Sequence, residues 1–204
     1  MNDTINTVGG IVLAAGSSRR FGQDKRTMPM PSGRTMLEDS IHLAIGALTE
    51  ILVILRFGDA NLAEKLEKKF GKEVENGKIR FYCAPDSAKG MAHSLANAIH
   101  LVKDWEAAVI MLGDMPYVES GTIKSLVRAY QRQRFDNPIV IPVKNDRQGH
   151  PVIFHHEYFS EIESLKGDTG ARPVIDAHKD KVFEVVVKDA GIFLDVDLPE
   201  DLAS

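Results

Sequence analysis

The sequence predicts a three-layer α/β fold, a mostly parallel sheet with helices on both faces. Three observations predict it: short apolar runs bounded by turn residues recur, stretches of helical spacing lie between them, and the two kinds of segment alternate. Strands that are apolar throughout belong to a sheet covered on both sides. Val8 to Ala15 reads as the first buried strand. A polar loop broken by Pro29, Pro31 and Gly33 follows, so the first helix starts late, over Thr35 to Leu48. Ile51 to Leu55 and Asn61 to Phe70 form the next strand and helix, and Ile79 to Tyr82 and Met91 to Val102 repeat the pair. Ala107 to Leu112, Thr122 to Arg132 and Ile139 to Val143 continue the series, and Val182 to Val187 closes it. After Pro138 the order is less regular. Gly149 to Phe154 reads as an extra short strand and His155 to Leu165 as a short helix, so an inserted hairpin or lobe is expected there.

Composition narrows the class. The 204 residues are 44% hydrophobic, and no linker, low-complexity tract or repeat divides them, so one domain over 1–204 is expected. Cys83 is the single cysteine, which excludes an intramolecular disulfide framework and a multi-thiolate zinc site and fits a reducing, cytoplasmic setting. No apolar run approaches the ~20 residues of a membrane span, and Met1 to Thr7 is too polar for a signal-peptide core. A net charge of -4 with 7% aromatics argues against nucleic acid as a partner.

The first loop carries the strongest chemical signal. Leu13-Ala14-Ala15-Gly16-Ser17-Ser18-Arg19-Arg20-Phe21-Gly22-Gln23-Asp24-Lys25 follows directly on the first strand. Small residues let a ligand approach the backbone, and successive N–H groups in such a loop form an anion-binding concavity. The carboxyl end of a parallel strand is also where an open α/β sheet places a ligand. The loop lacks the Gly-Lys-Ser/Thr ending of a P-loop and the Gly-x-Gly-x-x-Gly of a dinucleotide fingerprint, which argues against a flavin or nicotinamide domain. A solvated basic turn is the plain alternative. Farther on, the apolar strand ending at Leu112 runs into Gly113-Asp114-Met115-Pro116, which puts a carboxylate at a strand's carboxyl end; capping a turn is the ordinary job for such an Asp.

Leu13-Ala14-Ala15-Gly16, Arg20-Phe21-Gly22 and Lys25 together resemble the signature loop of the nucleoside-triphosphate transferase superfamily, and within it the chain is most similar to the molybdenum cofactor cytidylyltransferases. Later landmarks agree in order along nearly the whole chain. Gly90-Met91-Ala92-His93-Ser94-Leu95 is similar to the family's nucleotide-contacting Gly-Met-x-x-Ser-Leu segment, and Gly113-Asp114-Met115-Pro116 to its metal-binding Asp. Leu194-Asp195-Val196-Asp197-Leu198-Pro199-Glu200-Asp201-Leu202 resembles its Asp-Ile-Asp-Thr-Pro-Glu-Asp-Leu ending, with Leu198 in place of the usual Thr. Gly149-His150-Pro151 and Gly167-Asp168-Thr169-Gly170-Ala171-Arg172 match segments on the side that receives the pterin. Met28-Pro29-Met30-Pro31 departs from the Leu-rich run usual after the signature Lys.

The resemblance implies a Rossmann-like nucleotidyltransferase fold with a nucleotide-binding half to about residue 110 and a metal and acceptor half from about 111. It implies catalytic Lys25 and Arg20, a nucleotide site of Leu13, Ala14, Ala15, Gly16, Lys25, Gly90 and Ser94, and Asp114 with Asp197 holding Mg²⁺ or Mn²⁺. Asp195 competes with Asp197 for the second position. Gly149, His150, Pro151, Asp168 and Arg172 are the implied acceptor residues. An imidazole and a guanidinium can hold a terminal phosphate and meet a flat heterocycle. The implied reaction moves a nucleotidyl group from a nucleoside triphosphate to a phosphorylated acceptor, molybdopterin or molybdenum cofactor, with release of pyrophosphate. Ala15 favours CTP over GTP, because family members with Leu-Ala-Ala-Gly tend to use CTP. A molybdoenzyme maturation partner is a further implication. Two rivals stand beside it: a sugar- or polyol-phosphate nucleotidyltransferase, and a non-catalytic chaperone that binds the nucleotide or the cofactor.

Overall fold

In the computed structural model, residues 7–16, 23–132 and 136–196 are described. In chain order the elements are β1 (Val8–Ala14), α1 (Met36–Ile45), β2 (Ile51–Arg56), α2 (Ala60–Lys69), α3 (Gly71–Glu75), β3 (Ile79–Ala84), α4 (Met91–His100), β4 (Ala107–Leu112) and α5 (Ser120–Arg132). Then follow β5 (Ile139–Lys144), β6 (Arg147–Gln148), β7 (Val152–His155), α6 (Phe159–Ser164), α7 (Arg172–Ala177) and β8 (Val182–Val186). All eight strands lie in one sheet, ordered β3-β2-β1-β4-β7-β5-β6, with β8 paired to β5. The β1–β2, β1–β4, β2–β3 and β5–β8 pairs are parallel. The β4–β7, β5–β6 and β5–β7 pairs are antiparallel, and they form the irregular insertion expected after Pro138.

Strand alternation sorts the core into two layers. In β1, Val8, Val12 and Ala14 face a cluster with Leu37 and Ile41 of α1 and Ile123 and Leu126 of α5. Ile11 and Leu13 of β1 face the opposite cluster, with Leu95 and Ile99 of α4, Ile162 of α6 and Val174 of α7. This period of two is what lets a fully apolar strand serve helices on both sides. Helix α1 starts where the sequence places it: Thr35 accepts a hydrogen bond from the Glu38 N–H at 3.4 Å, and Glu38 accepts one from the Thr35 N–H at 2.9 Å, a capping box. It stops at Ile45, three residues short of the expected Leu48, because Gly46 and Ala47 close it with a turn. No helix among the described residues is long and apolar enough to cross a membrane.

The direction of chain travel across the sheet reverses at β1. The chain moves outward from β1 through β2 to β3, then returns to add β4 on the other side of β1. The carboxyl ends of β1 and β4, in register at Leu13 and Leu112, therefore flank a topological switch point, the usual ligand crevice of an open α/β sheet.

Candidate functional site

Both chemical motifs meet at that switch point. The first loop leaves β1 through Ala15 and Gly16, and the turn after β4 presents Asp114. The end of β1 is tied to the turn after β4, since the Gly113 N–H donates to the Leu13 carbonyl at 2.9 Å, and the Ser40 hydroxyl of α1 donates to the Gly113 carbonyl at 3.1 Å. Lys25, in a short 3-10 turn over Lys25–Thr27, reaches across and donates from Nζ to Asp114 Oδ2 at 2.8 Å and to the Val196 carbonyl at 2.9 Å. Gly16, Lys25 and Asp114 line one cleft of about 860 Å³, together with Leu13, Ala14 and Ala15. Gly90 and Ser94 line the same cleft from the start of α4. Arg20 and Asp197 lie outside the described residues.

A strap over residues 189–196 braces this corner. Asp189 accepts from the Glu119 N–H and the Thr122 hydroxyl, each at 2.8 Å, and so anchors the strap at the start of α5. The Ile192 carbonyl accepts from the His150 N–H at 3.0 Å, and the Val196 N–H donates to the Asp114 carbonyl at 2.9 Å. Gly149 is needed where the strap crosses, for a Cβ there would stand 2.5 Å from the Ile192 carbonyl oxygen. Leu194 to Val196 form no strand, and Asp195 is exposed.

A second cavity of about 280 Å³ adjoins the cleft and shares Leu13, Met91, Leu112 and Asp168 with it. Its walls are mainly apolar, with Phe154, Ile141 and Leu95, and its polar groups include His150, Gln148 and Arg172. Gly149 also lines it; Pro151 is buried, and the wall there is made by its neighbours His150 and Val152. His150 Nδ1 is buried with no hydrogen-bond partner among the described residues. Burial pushes the imidazole pKa below its ordinary 6.5, while Asp114 and Asp195 pull it partly back. Arg172 opens α7, where it bonds to Asp176 at 3.1 Å and to the Gln148 side chain at 3.5 Å.

Asp168 sits on the wall between the two cavities, and its Oδ1 accepts from the Met91 N–H at 3.1 Å. The Ala92 N–H donates to the Gly167 carbonyl at 3.0 Å. The first two N–H groups of α4 are thus already satisfied by the 167–168 loop, which satisfies the orphan donors every helix start carries. Gly90, at φ 120°, permits the arrangement: a Cβ would lie 2.4 Å from Asp168 Oδ1 and 2.5 Å from the Gly167 carbonyl oxygen. Ser94 is buried, and its hydroxyl turns back to the Gly90 carbonyl at 3.5 Å.

Sequence reasoning missed the ion cluster beneath the first loop. Arg26 is 4% exposed and donates to Asp24, to Asp59 and to the Ala14 carbonyl at 2.9 Å. Arg56 forms ion pairs with the same two carboxylates, and its backbone N–H donates to Asp59. The cluster fastens the loop after β1 to the loop after β2. Its one sequence signal is the run Asp24-Lys25-Arg26, in which one cation of two turns outward to Asp114 and the other inward.

One carboxylate of the cleft, that of Asp114, is of the kind that serves a hard cation. Among the described residues no group of three or more His, Cys, Asp or Glu side chains is arranged to hold a metal, and the cleft presents the Asp114 carboxylate beside the Gly16 turn. Mg²⁺ is characteristically held in this way, by one or two carboxylates with substrate phosphates and water completing the shell.

A loop and a carboxylate that meet at the switch point of such a sheet suit a phosphorylated ligand held with a metal ion. Residues 10–182 match the MobA-like NTP transferase domain, and the chain belongs to that family of nucleotidyltransferases. It is 28% identical over 196 residues to the purine catabolism protein PucB of Bacillus subtilis (strain 168), covering 94% of this chain and 92% of that protein. It is also 28% identical over 191 residues to the molybdenum cofactor cytidylyltransferase of Escherichia coli (strain K12), covering 94% and 91%. The crystal structure of Rv0371c from Mycobacterium tuberculosis H37Rv superposes with a TM-score of 0.78 at 26% identity, over 97% of this chain and 96% of that one. A structure of the same protein in complex with manganese gives a TM-score of 0.73 at 25% identity, with the same coverage.

Proposed function

We propose that this enzyme transfers CMP from CTP to the terminal phosphate of a pterin of the molybdopterin type and releases pyrophosphate. The observation that carries the reading is the Lys25–Asp114 pair at 2.8 Å, which lines the same cleft as Gly16. A triphosphate bound in that cleft would meet the Lys25 ammonium, with the Asp114 carboxylate beside it.

Chemistry at such a site needs little from the protein beyond alignment and charge. The acceptor phosphate oxygen attacks the α-phosphorus, a new P–O bond forms, and the bond to pyrophosphate breaks. A phosphate monoester has its second pKa near 6, so at neutral pH the nucleophile is largely ionised and needs no strong general base. Lys25, with Arg20 from the preceding loop, holds the phosphates and stabilises the charge that builds in the transition state. Asp114 and, by the sequence reading, Asp197 would hold Mg²⁺ or Mn²⁺. When bound, the ion supplies further neutralisation of phosphate charge.

The adjoining cavity supports a pterin over a sugar phosphate. Its apolar lining around Phe154, Ile141 and Leu95, with His150, Gln148 and Arg172 as polar points, suits a flat heterocycle, whereas a sugar or polyol would call for many more polar partners. CTP is favoured by Ala15, because family members with Leu-Ala-Ala-Gly tend to use it. The test is pyrophosphate release from CTP, GTP, ATP and UTP, each set against molybdopterin and sugar-phosphate acceptors with Mg²⁺. The proposal expects the CTP and molybdopterin combination to dominate. Turnover with a sugar phosphate alone, or none with any pair, would count against it.

A further inference from the structure

Phe57 is 73% exposed, although it stands one residue beyond a fully paired inner strand. It takes no part in the packed apolar clusters of the described residues. Phe57 lines the large cleft, as do Arg56, Ser87 and Lys89.

The backbone beneath the ring is held firmly. The Phe57 N–H donates to the Ser87 hydroxyl at 2.9 Å, and the Arg56 N–H donates to Asp59 at 2.9 Å. The Asp59 N–H closes the turn on the Arg56 carbonyl at 3.1 Å, and Asp59 is itself clamped by the buried Arg26. An apolar ring presented to water on a braced turn, inside a ligand cleft, is a surface kept for something flat and apolar.

We infer that Phe57 is the platform on which the nucleobase stacks. The inference rests on the reading of the large cleft as a nucleoside-triphosphate site. With the triphosphate near Gly16, Lys25 and Asp114, the base is the part of the substrate left to meet the other wall. Aromatic side chains bind bases through their faces, and every base has such a face. Phe57 therefore sets affinity for the nucleotide as a whole.

Two ligands separate this role from a structural one: CTP, and inorganic tripolyphosphate, which keeps the charge and lacks the base. Calorimetric titration of the full chain with Mg²⁺ is expected to show the Kd for CTP rising about 5- to 100-fold in Phe57→Ala. Tripolyphosphate binding should stay as in the wild type, and Phe57→Tyr should restore CTP binding. In Phe57→Trp the new indole should be quenched by CTP and not by tripolyphosphate, against a background of one native tryptophan, Trp105, which is buried. Equal losses for both ligands, or unchanged CTP binding in Phe57→Ala, would overturn the inference while leaving the nucleotide site standing. A wild-type chain that binds neither ligand would remove the site and the platform together.

Discussion

Replacing Arg26 by methionine removes the cation on which the first loop is built and keeps most of the buried volume. Its guanidinium contacts Asp24 at 2.8 and 2.6 Å, Asp59 at 2.5 and 3.1 Å, and the Ala14 carbonyl at 2.9 Å. Removing one partner of a buried ion pair costs about 3–5 kcal/mol. The two carboxylates retain 32% and 18% side-chain exposure and keep Arg56, so the lower end applies, about 3 kcal/mol after screening. In a chain of this length each kcal/mol moves the midpoint by about 2–4 °C, so thermal unfolding at pH 7 should show a loss of about 6–12 °C. The effect carries a pH signature. Burial alone would raise the Asp24 and Asp59 pKa values, but hydrogen bonds and charge from Arg26 overcome it and hold both below 3.8. Carboxylates with depressed folded values contribute stability that is present above the unfolded value, near 3.8, and is lost as pH falls through the folded ones. The gap between wild type and Arg26→Met should therefore be full at pH 7 and narrow below pH 3.8. An unchanged midpoint at pH 7, or a gap that does not narrow in acid, would refute the reasoning.

Other perturbations address the chemistry. Lys25→Ala should lower kcat for pyrophosphate release by about 10²- to 10³-fold, as expected when a preorganised donor to the transition state is lost; undiminished turnover would remove Lys25 from that role. Asp114→Asn should reduce the rate and move the Mg²⁺ titration to higher concentration, and an unshifted titration would take Asp114 out of the metal site. His150 should stay neutral at pH 7 because burial disfavours its charged form, with Asp114 and Asp195 only partly compensating. Imidazole NMR signals should accordingly titrate below 6.5, and a midpoint above that value would contradict the burial argument.

The sheet and its larger helices were legible because each is an apolar run or a repeat of at least two helical turns, as in Val8 to Ala14 and Ser120 to Arg132. The short helices Gly71–Glu75 and Arg172–Ala177 and the two-residue strand Arg147–Gln148 are too brief to carry a period. Lys25 and Asp114 could be named from the chain because each stands in a local motif at the end of a strand. The role of Asp168 at the start of α4 could not, since the bond joins residues 77 apart in sequence. The Arg26 cluster was hidden for the same reason: it joins Asp24 and Asp59, and a buried arginine looks like any other basic residue until the fold supplies its partners. In the sequence Phe57 is one more apolar residue after a strand, and only its exposure at the cleft distinguishes it.

Whether the nucleotide lies across the Gly16 turn with its metal at Asp114 can be decided by one anomalous-difference map, from crystals grown with Mn²⁺ and a non-hydrolysable CTP analogue. The expected map has a manganese peak bonded to an Asp114 carboxylate oxygen and to phosphate oxygens, with Lys25 against the triphosphate. Manganese bound away from Asp114, or the triphosphate seated in the cavity lined by His150 and Phe154, would contradict it.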